Sequence, residues 1–327
     1  MDLTEVFGER IKIINREIDE FLRVKEPEKL YDATRYLPLS GGKRLRPLLV
    51  SLSTEVVGED WKKSIPFGIA IELMHNFTLV HDDIMDRSPL RRNIETTHVK
   101  FGEETAIIAG DLLFAKSYEA LHNLDVNKDA FRKLCLLLTK CIEEICEGQY
   151  MDMDFEKRED VTEEEYIKMI EKKTAALFSC SAEGGAIIGG GSDEEIKALS
   201  MYGKLLGLGF QIWDDYLDLK GKENEFGKRI GNDIREGKKT LMIIHALARA
   251  DEGERDLILS TLGKKDAKEE EIKDVIEILD NLGSLSYAKE KAMEYASKAK
   301  GFLGILPKND ARRYLEELVD YAISRRR

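Results

Sequence analysis

Proline is scarce in this chain, at 6 in 327 residues, and no stretch rich in Pro, Gly and Ser separates one region from another. Length alone suggests about two domains, but without such a linker a single helical domain spanning 1–327 is expected. Cysteine is rare as well. Cys135, Cys141, Cys146 and Cys180 lack metal-ligand spacing and a secretory context, so they read as reduced core or helix residues. No run of 18 apolar residues occurs, and Met1 to Glu5 has neither the basic nor the apolar part of a signal peptide. The expectation is a soluble, cytoplasmic protein with no stable membrane insertion. Net positive charge is missing too: 63 acidic against 51 basic residues leave −12, which disfavours nucleic acid or an anionic membrane as the main partner.

What the chain does contain is helical periodicity. Val6, Ile11, Ile14, Ile18 and Leu22, and later Leu134, Leu137, Leu138, Cys141, Ile142 and Ile145, fit a 3.6-residue repeat rather than strand alternation. An all-α fold follows. Breaks are expected at Gly41-Gly42, Ser88-Pro89, 123–129, 156–162, Gly189-Gly190-Gly191, 221–237 and 253–268. Thr162 to Glu165 has the pattern of a capping box, and the triple glycine reads as a helix C-terminus because no strand precedes it.

Against this background the pattern DDxxD occurs twice, as Asp82-Asp83-Ile84-Met85-Asp86 and Asp214-Asp215-Tyr216-Leu217-Asp218. Residues four apart share a helix face, so each cluster presents paired carboxylates along one edge. Like charges this close need a compensating cation, and all-oxygen ligation points to Mg2+. The apolar flanks Phe77 to Val80 and Gly209 to Trp213 that precede them argue against two solvated acidic helix ends.

Basic residues gather beside the acidic ones. Gly41-Gly42-Lys43-Arg44-Leu45-Arg46-Pro47 is a glycine turn followed by cations at a helix start, a setting that suits an anion such as phosphate. Arg91 and Arg92 lie just past the first cluster, with planar forks that match diphosphate oxygens. Lys172, Lys173, Lys228, Arg229, Lys238 and Lys239 add further cations. Carboxylates for metal and cations for oxyanions together equip a protein to hold two diphosphates.

These motifs, in this order, resemble the trans-prenyl diphosphate synthase family: GGKRLRP from Gly41, DDIMD from Asp82 with Arg91-Arg92 behind it, Gly148-Gln149, Lys173-Thr174, and Phe210-Gln211 leading into DDYLD. The resemblance covers nearly the whole chain. It implies a bundle of long antiparallel helices around a central active-site cavity, usually as a homodimer. It also implies that Asp82 and Asp86, supported by Asp83, bind two Mg2+, and that Asp214, with Asp215 and Asp218, binds a third. Arg91, Lys173, Lys238 and one of Lys228 or Arg229 would hold the allylic diphosphate, with Thr174 and Gln211 beside it. Lys43, Arg46, His75 and Arg92 would hold isopentenyl diphosphate. Lys173, Thr174 and Gln211 would lie near the allylic cation formed as diphosphate leaves. The C-terminal Arg325-Arg326-Arg327 resembles basic tails that fold over the diphosphate mouth in some relatives, and reads equally as a solvated tail.

Product length is read from the residues before the first cluster. Thr78 and Phe77 precede Asp82 by four and five residues, about 6 and 7.5 Å along a helix. Phe77 is the candidate floor and Met74 a second limit. An aromatic at the fifth position with a smaller residue at the fourth resembles archaeal-type geranylgeranyl synthases, so a twenty-carbon product is expected, with farnesyl or longer-chain synthesis as the alternative. A class I terpene cyclase would leave Lys43, Arg46 and His75 idle. A non-catalytic subunit of a heteromeric synthase would have eroded aspartates, and both clusters are complete.

Overall fold

The computed structural model describes residues 3–220 and 230–324; Lys228, Arg229 and Arg325 to Arg327 lie outside the described residues. The described chain is helical except for one two-stranded hairpin. Its helices are α1 (Leu3–Phe21), α2 (Glu28–Leu39), α3 (Leu45–Val56), α4 (Ile65–Met85), α5 (Thr97–Phe101), α6 (Glu103–Leu121), α7 (Lys128–Phe155), α8 (Glu163–Ile170), α9 (Ala176–Ile188), α10 (Asp193–Lys220), α11 (Asn232–Glu236), α12 (Leu241–Leu247), α13 (Glu252–Thr261), α14 (Glu269–Asn281), α15 (Ser284–Phe302) and α16 (Asp310–Ser324). A π-helical turn, Glu171–Ala175, joins α8 to α9. The few prolines stay out of helix interiors, except for Pro38 in the last turn of α2. Pro66, for example, sits in the first turn of α4, where no backbone N–H partner is lost.

The described residues form two compact units, one from those within 1–140, 177–200 and 303–317, the other from those within 141–176, 201–302 and 318–327. In the first unit α4 is buried on almost every side from Phe67 to Met74, a stretch apolar but for Glu72, whose charge Arg44 pairs. Leu48, Leu49 and Leu52 of α3 and Ile71 and Leu73 of α4 are fully buried at its core. Helices α4 and α6 pack along their length, and the Phe77 ring meets Phe114 at 5.4 Å between centroids.

In the second unit α8 begins with the expected capping box: the Glu165 N–H donates to Thr162 Oγ1 at 3.2 Å, and the Thr162 N–H donates to Glu165 Oε2 at 2.9 Å. Helix α9 stops at Ile188, just before the triple glycine, as the sequence suggests. The break expected over 253–268 begins too early, because α13 runs through Gly253 to Thr261. An Asp251/Glu254 capping box satisfies its first N–H groups and outweighs the cost of one glycine. Among the described residues no helix is long and apolar enough to cross a membrane.

Candidate active site

Each aspartate cluster lies at or near the end of a long helix. Asp82 and Asp83 occupy the last turn of α4, and Asp86 caps it through its backbone N–H to the Asp82 carbonyl at 2.9 Å. Just beyond, strands β1 (Leu90–Arg91) and β2 (Ile94–Glu95) pair antiparallel, with Arg91 opposite Ile94. The two connecting residues, Arg92 and Asn93, have φ of 54° and 63°, the positive values that a two-residue hairpin loop demands.

This hairpin sends its two arginines to different places. Arg91 Nε donates to both oxygens of Asp83 at 2.8 and 2.9 Å, and its Nη2 lies 3.5 Å from Asp82. Asp83 is buried, so Arg91 supplies the counter-charge that its burial requires. Arg92 turns instead to the glycine turn before α3, where Nη1 donates to the Gly41 carbonyl. A Cβ on Gly42 would come within 3.2 Å of the Arg92 guanidinium, and Gly42 has φ of +137°, so both space and backbone favour glycine there.

Arg46 and His75 complete this basic group. Arg46 Nη1 lies 3.3 Å from His75 Nε2, and its guanidinium stacks 4.3 Å from the centre of the Phe178 ring. Arginine only donates, so Nε2 accepts and the ring proton belongs on Nδ1. Burial, and then the charges of Arg46, Arg92, Arg91 and Arg44, push the His75 pKa well below its ordinary value. The ring is therefore neutral at pH 7, with one N–H available to an anion. Lys43 lies exposed at the turn.

Arg44, between Lys43 and Arg46, is buried and structural. It donates to Glu72 at 2.6 Å, to Asn15 at 2.7 Å and to the Pro38 carbonyl at 2.5 Å. This strut ties the glycine turn to α4 one turn before His75, and only Arg44's left-handed backbone, with φ of 51°, marks it out.

The second cluster has its own surroundings. Asp214 is exposed, while Asp215 is buried and accepts from Tyr166 Oη at 2.6 Å and from Gln211 Nε2 at 2.7 Å. Burial and the nearby Asp233 carboxylate raise the Asp215 pKa. Asp218 accepts from the Asp233 backbone N–H at 3.1 Å, in the first turn of α11. Gln211 Oε1 accepts from Thr174 Oγ1 at 2.7 Å. Lys173 donates to Asp152 at 2.6 Å, and Lys238 pairs with Glu236 at 2.9 Å. Tyr166 and Asp152 were not singled out from the sequence. Both lie inside ordinary amphipathic helices, where only contact with α10 or with Lys173 reveals them.

Local backbone geometry sets Lys173 and Thr174 in place. Both belong to the π-turn, an irregularity frequent at functional sites. Helix α7 passes it at Gly148, where a Cβ would fall 2.3 Å from the Lys173 nitrogen.

The donors suit Mg2+. Among the described residues no three His, Cys, Asp or Glu side chains already surround one point. Mg2+ needs no such cage, since it is usually held by one or two carboxylates, with phosphate oxygens and water filling the octahedron. Asp82 with Asp86, and Asp214 with Asp218, offer such hard-oxygen pairs, and the Arg91 guanidinium stands beside the first pair.

The polyprenyl synthetase family model matches residues 27–279. The chain belongs to that family. It is 44% identical over 325 residues to a geranylgeranyl diphosphate synthase of Methanosarcina mazei, spanning 99% of this chain and 98% of that one. A geranylfarnesyl diphosphate synthase of Natronomonas pharaonis is 40% identical over 337 residues, at 97% and 96% coverage. The crystal structure of a geranylgeranyl pyrophosphate synthetase from Pyrococcus horikoshii superposes with a TM-score of 0.94 at 44% identity, covering 99% of this chain and 98% of that one. The fold of this polyprenyl synthetase is thus the all-α isoprenoid synthase fold, as the sequence motifs imply.

Proposed function

We propose that this chain condenses isopentenyl diphosphate head-to-tail with allylic diphosphates, in a Mg2+-dependent reaction, to give all-trans geranylgeranyl diphosphate. It is a prenyltransferase. The observation that carries the reading is the grouping of neutral His75 with Arg46 and Arg92 around the glycine turn, two helical turns before the aspartate pair on α4. An anion site and a cation site on one helix suit a substrate pair in which both partners are diphosphates and one is ionised.

In this reading Lys43, Arg46, His75 and Arg92 hold isopentenyl diphosphate, using arginine forks and the His75 N–H. Arg91, Lys173 and Lys238 hold the allylic diphosphate, as would Lys228 or Arg229, which lie outside the described residues. Asp82 and Asp86 with Asp83 behind them, and Asp214 with Asp215 and Asp218, are the residues that would hold Mg2+, three ions in all. When bound, the metal neutralises charge developing on the leaving diphosphate. Asp152 offsets the charge of Lys173, so that this cation serves phosphate without opposing the allylic cation nearby. Thr174 and Gln211 offer oxygen lone pairs to that cation. The isopentenyl double bond attacks it, and the departed diphosphate takes the proton released.

The twenty-carbon product is supported by Phe77 and Thr78 and by the geranylgeranyl activity named for the Methanosarcina mazei and Pyrococcus horikoshii relatives. We further propose that the chain works as one domain in a cytoplasmic homodimer. Incubating purified protein with Mg2+, isopentenyl diphosphate and farnesyl diphosphate, and sizing the products by chromatography, tests the reading. Geranylgeranyl diphosphate is expected; a longer main product would overturn the chain length, and no prenyl product would overturn the function.

A further inference from the structure

Thr174, Gln211, Asp215 and Tyr166 form one continuous hydrogen-bonded chain inside the second unit. Thr174 Oγ1 donates to Gln211 Oε1 at 2.7 Å, Gln211 Nε2 donates to Asp215 Oδ1 at 2.7 Å, and Tyr166 Oη donates to Asp215 Oδ2 at 2.6 Å. Each bond constrains the next. Gln211 turns its NH2 toward Asp215 and its carbonyl toward Thr174, so one carboxamide links the two. The Thr174 hydroxyl then spends its single hydrogen on that carbonyl, and its lone pairs remain for another partner.

The register of this chain depends on the π-turn. Tyr166 and Thr174 are eight residues apart, which in a regular helix is about 800° of rotation and leaves them about 80° out of line. A π-turn inserts one extra residue, so the advance equals about seven α-helical steps, or 700°, within about 20° of alignment. Both side chains therefore face α10, where Gln211 and Asp215, four residues apart, share a face. The outer pair, Tyr166 with Asp215, and the inner pair, Thr174 with Gln211, close together only because of the turn at Glu171–Ala175.

Building on the prenyl-transfer reading above, we propose that Tyr166 is a positioning residue for that reaction. Through Asp215 it fixes the Gln211 carboxamide, and through Gln211 it orients the Thr174 hydroxyl so that its lone pairs face the developing allylic cation. Tyr166 touches no substrate. It is fully buried, so its hydroxyl has no competing role with solvent.

Steady-state kinetics with Mg2+, isopentenyl diphosphate and farnesyl diphosphate on the wild type, Tyr166→Phe, Thr174→Val and the double variant test this, with thermal unfolding measured alongside. Tyr166→Phe should lower kcat about tenfold, the loss of one buried hydrogen bond felt in the transition state, while both KM values and the Mg2+ concentration for half-activity stay within about twofold. In the double variant kcat should fall no more than about twofold below Thr174→Val, because the tyrosine acts through the threonine. Should Tyr166→Phe not fold, Gln211→Met breaks the same chain between Asp215 and Thr174 without altering a carboxylate, and should lower kcat at unchanged half-saturating Mg2+. Wild-type turnover with an unaffected kcat in the variant that folds, losses that multiply independently, or a shifted Mg2+ requirement would overturn the proposal alone. A wild type that makes no prenyl product would overturn the functional reading and this proposal with it.

Discussion

Gly148 of α7 lies so close to Lys173 that a Cβ would sit 2.3 Å from its backbone nitrogen and 2.8 Å from its Cα. Helix α7 thus presses on the π-turn through a bare backbone, and the neighbour is itself backbone, which cannot swing aside. Gly148→Ala should cost about 1 to 3 kcal/mol by overpacking. Displacing the turn by about 1 Å should also lower turnover by up to about 100-fold. Urea unfolding and product assays on the same preparation check both; an alanine variant with normal turnover would detach the glycine from the site.

Phe77 stacks edge-on to His81 at 4.9 Å and meets Phe114 at 5.4 Å, so its ring is held from two sides. Thr78 returns its hydroxyl to the His75 carbonyl at 2.8 Å, leaving its methyl as the smaller neighbour. Phe77→Ser should shift the product distribution beyond twenty carbons without lowering the rate of the first condensation. Chromatography of the prenyl alcohols decides it, and an unchanged distribution would transfer the floor to fully buried Met74.

His75 makes stability depend on pH in one direction. Its folded pKa is depressed by burial and by the surrounding arginines, so below about pH 6.5 the unfolded chain binds a proton that the folded chain refuses. Stability contributed by the neutral ring is complete above that pH. It should be lost by up to about 1.4 kcal/mol per pH unit as pH falls toward the folded pKa. His75→Gln should flatten this dependence. Urea midpoints from about pH 7.5 down to pH 5 measure the difference, and parallel curves for the two proteins would refute it.

Asp82→Ala and Asp214→Ala should each lower turnover by about 100-fold or more, since Mg2+-based charge stabilisation amounts to several kcal/mol, while the fold persists. Arg91→Ala should behave differently. Removing Arg91 takes from buried Asp83 a guanidinium that holds both of its oxygens, and the melting temperature should fall along with activity, by an amount matching about 3 kcal/mol. Calorimetry beside the product assay separates the two classes.

The fold class and most of the candidate ligands follow from sequence alone, because they rest on local rules. Helical periodicity, the Thr162/Glu165 capping box and carboxylates four residues apart each concern atoms within a few turns of one another. The chain order of GGKRLRP, DDIMD, Lys173-Thr174 and DDYLD carries the rest through resemblance. Some local competition was harder to weigh, and Gly253 suggested a break where Asp251 and Glu254 cap a helix.

Tertiary structure decided what those residues touch. Which of two adjacent arginines meets carboxylates and which meets the glycine turn depends on a two-residue hairpin loop that no helical pattern announces. That Arg44 braces the turn, that Asp215 is buried between Tyr166 and Gln211, and that a π-turn brings Tyr166 and Thr174 onto one face all depend on contacts between residues distant in sequence. Composition and spacing determine where charges lie along the chain. Burial and partners across helices determine which of them become braces, because a charge taken from water must be paired by whatever the fold brings to it.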